Sequence, residues 1–295
     1  MGLATVVLLT ATFGVANASA GAPVAKVLGV SPIPGVSDGR STIALGTGSD
    51  LRLFHDGEKT PTTGALPAGC GVQLAAAGTG LAQCSGATSL DVVGAPQLVS
   101  MRTGTARSLP GADRLPATDT TTFAMGANWI AATQCPSKCS QVALQWHTGV
   151  LRAFRYNRKQ SPQVALDSAT LTPSDRPSIN TTGKAWVYRR GAFSRSIESY
   201  AADITTVQIV GWRAAWLTRD TRAPGTNYRQ VNVLNAKTGR LTSIPLRRFG
   251  ARAISLPIDS RYRLKLQATR EHLVLSFVTD SNPTNYTVAT LPWSV

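Results

Sequence analysis

A β-propeller is the fold that this sequence predicts, and three observations predict it. The first is a glycine-bearing hairpin tip that recurs at Asp56-Gly57, Thr103-Gly104, Thr148-Gly149 and Thr238-Gly239. The steps between these glycines are 47, 45 and 90 residues, and ninety is two repeats of about 45, the length of a four-stranded blade. The second is a constant apolar phase around the tips: Leu109, Phe154 and Ile244 stand five positions after Gly104, Gly149 and Gly239, while Leu98, Ala143 and Val233 stand six before them. Alternate residues of a strand share a face, so a constant phase orients each hairpin alike. The third is a preceding glycine series, Gly39, Gly80, Gly126, Gly183 and Gly211, each followed within three residues by a short strand-like run.

Those runs are Thr42 to Leu45, Leu81 to Cys84, Trp129 to Ala132, Ala185 to Tyr188 and Trp212 to Leu217, rich in β-branched and aromatic residues. A sixth, Leu273 to Phe277, follows a turn at Arg270-Glu271. Six inner hairpins predict six blades in an all-β chain, with one irregular unit across roughly residues 158 to 204; five or seven blades, or a two-sheet β-sandwich, are the alternatives. No helical periodicity competes beyond the first fifteen residues. The last unit offers three strands, near 263 to 269, 272 to 278 and 286 to 291. An open edge invites aggregation, so Val24 to Val30 is predicted to return as its missing strand.

The segment Val231 to Arg240, reading VNVLNAKTGR, resembles the outer hairpins of TolB-like propeller repeats, often found in secreted and periplasmic bacterial proteins. The likeness runs over most of residues 35 to 290 through a short motif. It supports the fold and carries over no functional residue.

Residues 1 to 20 contain no charged side chain; an apolar stretch from Ala4 to Phe13 is followed by Ala18-Ser19-Ala20. This pattern predicts a secretory signal cut after Ala20, leaving residues 21–295 as a single propeller domain outside the cytoplasm. The apolar run is too short to span a bilayer. In an exported chain, Cys70, Cys84, Cys135 and Cys139 are expected in disulfides. Four cysteines allow three pairings; sequence proximity favours Cys70 with Cys84 and Cys135 with Cys139. The spacing does not suit a zinc site, and no metal or cofactor is expected.

The formal charge of +15 is uneven: residues 1 to 150 carry 8 basic and 7 acidic side chains, residues 151 to 295 carry 22 and 8. The second half therefore holds a net +14. Its candidate binding residues are Arg155, Arg158, Lys159, Arg189, Arg190, Arg195, Arg219, Arg222 and Arg229, whose guanidinium forks suit carboxylate and phosphate. Trp186, Tyr188, Trp212, Trp216 and Tyr228 lie among them as candidate stacking partners. Catalytic signatures are missing: the histidines are His55, His147 and His272, and no nucleophile elbow or phosphate loop occurs. His55-Asp56 and Trp146-His147 fall at outer tips, where exposed turn residues are expected. The sequence thus favours a monomeric, non-catalytic binding or scaffolding module for an anionic cell-surface polymer, acidic lipid or acidic protein, with nucleic acid not expected. The alternative is a propeller hydrolase or lyase acting on carbohydrate or lactone.

Overall fold

The computed structural model describes residues 25–84, 95–115, 121–126, 128–134, 140–154, 178–179, 184–189, 192–198, 208–210, 213–220, 227–235, 238, 240–251, 264–279 and 282–293. Among them are no α-helices, only 3-10 turns such as Leu246–Phe249. The strands fall into consecutive groups. The first strand, β1 (Lys26–Ser31), stands apart. Then come β2 (Val36–Ser37), β3 (Thr42–Leu45), β4 (Leu51–His55) and β5 (Thr62–Gly64); β6 (Cys70–Ala76), β7 (Thr79–Cys84), β8 (Gln97–Ser100) and β9 (Ala106–Ser108); β10 (Thr121–Met125), β11 (Trp129–Gln134), β12 (Ser140–Gln145) and β13 (Val150–Phe154). The remainder are β14 (Ser178–Ile179), β15 (Lys184–Arg189) and β16 (Ala192–Glu198); β17 (Gln208–Val210), β18 (Arg213–Asp220), β19 (Asn227–Asn235) and β20 (Arg240–Pro245); and β21 (Leu264–Ala268), β22 (His272–Thr279) and β23 (Asn282–Pro292). Each group is one antiparallel up-and-down sheet, and β1 joins the last in the order β1-β23-β22-β21.

Alternation along the strands explains why these sheets form a ring. Leu81 and Leu98 pack with Met125, Ile130 and Leu144 of the third sheet, while their neighbours Ala82 and Val99 pack with Leu51 and Leu53 of the first. Leu273 and Leu275 face Leu217 and Val231 of the fifth sheet; Val274, between them, faces Ile43 and Leu45 of the first. Both faces of a sheet are therefore buried, each against a different neighbouring sheet. A two-sheet sandwich buries one inner face per sheet. The first strands touch from sheet to sheet, β17 on β21, β21 on β2, β2 on β6 and β6 on β10, which places them innermost. The architecture is a β-propeller.

The ring closes as the sequence predicts. Lys26 to Ser31 pair antiparallel with Thr290 to Tyr286, with an irregularity between Val27 and Gly29. Polar contacts complete this seam: Ser37 Oγ donates to the Ala268 carbonyl at 2.7 Å, Gly35 N–H to Ser276 Oγ at 2.9 Å, and Ser37 N–H to Gln267 Oε1. The Arg270 N–H donates to the Arg40 carbonyl at 2.7 Å.

Register refines the repeat. Thr42, Thr79, Trp129 and Arg213 open the second strands and pair with His55, Ser100, Gln145 and Asn235. These partners are separated by 45, 45 and 90 residues. Gly57 does not belong to the same series as Gly104 and Gly149, because it is the second residue after its strand while they are the fourth. Gly80 lies within β7, and the turn before it falls at Ala77-Gly78, both with positive φ. The irregular unit has three described strands, β14 to β16.

One half-buried cation costs stability. Lys265 sits on the innermost strand β21, alternating with buried Leu264 and Leu266, and burial pulls its ammonium down to about 8. Below that pH both folded and unfolded chains carry the proton, and the folded state bears the whole penalty. Between about 8 and 10.5 the unfolded chain binds more protons, so stability rises with pH. Lys265→Met is expected to stabilise the protein at pH 7 by about 1–3 kcal/mol, allowing for partial solvent access. Thermal melts should show the gain shrinking toward pH 10.5; a gain independent of pH would contradict this account.

Candidate functional site

The described residues bring one cluster of titratable side chains together, at the closing seam. Asp56 is the first residue after β4, in the turn between the third and fourth strands of the first sheet. Glu271 and His272 lie at the turn between the first and second strands of the last sheet. Alternate turns of an up-and-down sheet emerge on the same side, and ring closure makes these two sheets neighbours. His272 Nδ1 donates to Asp56 Oδ1 at 2.8 Å across a sequence separation of 216 residues.

The backbone under this cluster is tightly tied. Thr269, fully buried, accepts the N–H of His272 at 2.9 Å and of Glu271 at 3.3 Å on its hydroxyl. The Trp293 indole donates to the Thr269 carbonyl at 2.8 Å, and its N–H donates to the Glu271 carbonyl at 3.2 Å. Asp56 N–H donates to the Ser41 carbonyl at 2.7 Å. His55 does not join the cluster; its ring lies between the hydroxyls of Thr42 and Thr62.

The arrangement reuses a general seam contact. Arg213, at the start of β18, reaches the following sheet in the same way: its guanidinium lies over the Trp293 ring at 5.8 Å and donates to the Arg270 carbonyl at 3.3 Å. At the closing seam the equivalent positions hold His272 and Asp56, so a structural contact becomes a titratable one. The Asp56 hydrogen bond raises the His272 pKa above its ordinary value, against the opposing effect of partial burial; the charges of Asp56 and Glu271 add to the rise. Asp56 is only 8% exposed at its side chain, and its Oδ2 is buried with no hydrogen-bond partner. A histidine flanked by two carboxylates can hold a proton or a cation. The cluster stands at the ends of a second and a third strand, β22 and β4, away from the innermost strands.

Sequence reasoning missed this cluster by treating Asp56 as an exposed turn residue. The usable signal was the predicted closing strand, which already made the first and last sheets adjacent. Trp146 is a second correction: it is 4% exposed, its indole donating to the Gly126 carbonyl at 3.3 Å, and only its neighbour His147 is exposed. Trp216, expected as a candidate stacking partner, is buried at 1% exposure and presents no stacking face.

Of the candidate arginines, Arg189, Arg195, Arg219 and Arg229 lie on β15, β16, β18 and β19. Arg155, Arg158, Lys159, Arg190 and Arg222 lie outside the described residues. The Cys70–Cys84 disulfide is formed, with Cα atoms 3.8 Å apart; Cys135 and Cys139 lie outside the described residues, as do residues 1–24. No helix among the described residues is long and apolar enough to cross a membrane.

No family model matches the chain, and no curated protein matches it. Solved structures do. A chain of the mitotic checkpoint complex is 8% identical, covering 97% of this chain and 98% of its own, with a TM-score of 0.43. The Neurospora crassa Pan2 WD40 domain is 9% identical over 93% and 97%, with a TM-score of 0.41. The propeller domain of the trilobed protease from Pyrococcus furiosus is 6% identical over 87% and 80%, with a TM-score of 0.38.

Proposed function

We propose that this chain is a secreted, monomeric binding or scaffolding module of the TolB-like type. In this reading residues 1–20 are a removed signal, residues 21–295 form one six-bladed propeller, and the basic second half engages an anionic cell-surface polymer, acidic lipid or acidic protein. The observation that carries the reading is the partition of charge, a net +1 before residue 150 and +14 after it. In a ring, a stretch of sequence maps to adjacent blades, so the charge concentrates on one arc instead of spreading over the whole surface. The formed Cys70–Cys84 bridge supports an oxidising compartment.

Retention on an anionic polymer should fall steeply as salt is raised, because exposed charge attraction decays over about 8 Å at physiological ionic strength. Replacing Arg155, Arg158 and Arg190 with alanine should weaken binding roughly tenfold, at about 0.5 kcal/mol per charge. Replacing the exposed Arg102, Arg107 and Arg114 should change it little. Equal losses from the two sets, or binding indifferent to salt, would overturn a localised basic surface. Turnover of a carbohydrate or lactone that survives the first set would instead favour an enzyme.

A further inference from the structure

We propose that Asp56, Glu271 and His272 form a binding site for a divalent transition-metal cation of the zinc type, clamping the two ends of the ring. One donor atom from each residue lies within 4.8 Å of the others. Asp56 supplies an independent reason to expect a ligand. Its side chain is more than nine-tenths buried, yet Oδ2 has neither solvent nor a hydrogen-bond donor. Buried polar atoms without partners are rare. A cation held by both carboxylate oxygens would satisfy Oδ2 and replace, at Oδ1, the proton that His272 Nδ1 donates.

The chemistry of the donors selects the ion. Calcium and magnesium favour all-oxygen cages, whereas an imidazole with two carboxylates suits zinc and its first-row neighbours. Zinc binds such nitrogen and oxygen donors at about 2.0–2.2 Å, so donors round a tetrahedral ion stand about 3.3 Å apart. The His272 Nδ1 to Asp56 Oδ1 separation of 2.8 Å is that of a hydrogen bond, so the two groups part by about 0.5 Å to admit the ion. Glu271 is exposed and free to swing the remaining distance. On binding, His272 Nδ1 gives its proton to solvent and its lone pair to the ion. Three protein ligands leave a fourth position for water or an incoming group. Because Asp56 belongs to the first sheet and the other two ligands to the last, the ion bridges the seam that β1 closes.

The test uses the oxidised full chain, stripped with chelator and titrated with zinc by calorimetry, and with cobalt by visible absorption. One equivalent of zinc should bind, and the melting temperature should rise with it. Glu271→Gln, an exposed and conservative change, should weaken zinc binding about tenfold or more and diminish the cobalt absorption. His272→Ala should remove stoichiometric binding, and His147→Ala, at an exposed tip, should leave it intact. No saturable binding up to millimolar zinc overturns the site, as does binding that survives His272→Ala or is unaffected by Glu271→Gln. If His272→Ala fails to fold, the Glu271→Gln titration and the cobalt spectrum decide.

Discussion

Replacing Gly104 with alanine is expected to destabilise the protein by about 4 kcal/mol, whereas Gly57→Ala should cost about 1 kcal/mol. Both glycines sit at hairpin tips with positive φ, +73° and +84°, where an L side chain is strained. They differ in what surrounds them. A Cβ on Gly104 would lie 2.5 Å from Gly64 Cα and 3.1 Å from Gly64 N, backbone atoms at the end of the preceding sheet. Around Gly57 nothing lies within 4 Å. Gly149 repeats the crowded case, its Cβ position 3.1 Å from the Pro110 carbonyl carbon and 3.3 Å from Gly111 N. Thus the tip glycines of the second and third sheets serve the seam as well as the turn, letting one blade's backbone rest on the next. Urea denaturation of the two variants checks this; equal losses would mean that the turn alone needs the glycine.

That distinction also explains what the sequence revealed and what it hid. The recurrence of Thr103-Gly104 and Thr148-Gly149 was visible because seam packing forbids a Cβ at each tip. Gly57 matched the pattern by composition alone, which stretched the first step to 47 residues although the strand partners His55 and Ser100 are 45 apart. Period-two alternation showed strands, and the short last unit showed that β1 must return to it. The Asp56, Glu271 and His272 cluster was harder to see, because no local pattern links residues that meet only through ring closure. Trp146 was misread for a related reason: a tryptophan near a turn reads as exposed until the next sheet is placed against it. Trp216 lies within β18 and is packed, which removes it from the candidate stacking partners. The candidate arginines remain a statement about charge along the chain, since convergence depends on side-chain directions that spacing does not encode.

Removing the Cys70–Cys84 bridge is expected to cost about 3 kcal/mol, the chain-entropy value for a loop of about 15 residues. The two cysteines are direct partners at the far end of the β6–β7 pair from its turn, with a sequence separation of 14. The bridge therefore fixes register where the two strands would otherwise fray. Cys70 is 1% exposed and packs with Val72, Leu53 and Met101 in the seam between the first two sheets, so loss of register would disturb the apolar contact as well. The double variant Cys70→Ala with Cys84→Ala avoids burying a hydroxyl and should lower the melting temperature by roughly 6–12 °C. A reducing agent should lower the wild-type value by at least as much. Any further fall when the double variant is reduced would then measure a Cys135–Cys139 bridge separately, and a melting temperature unmoved by either the double substitution or the reductant would show that strand pairing alone holds this hairpin.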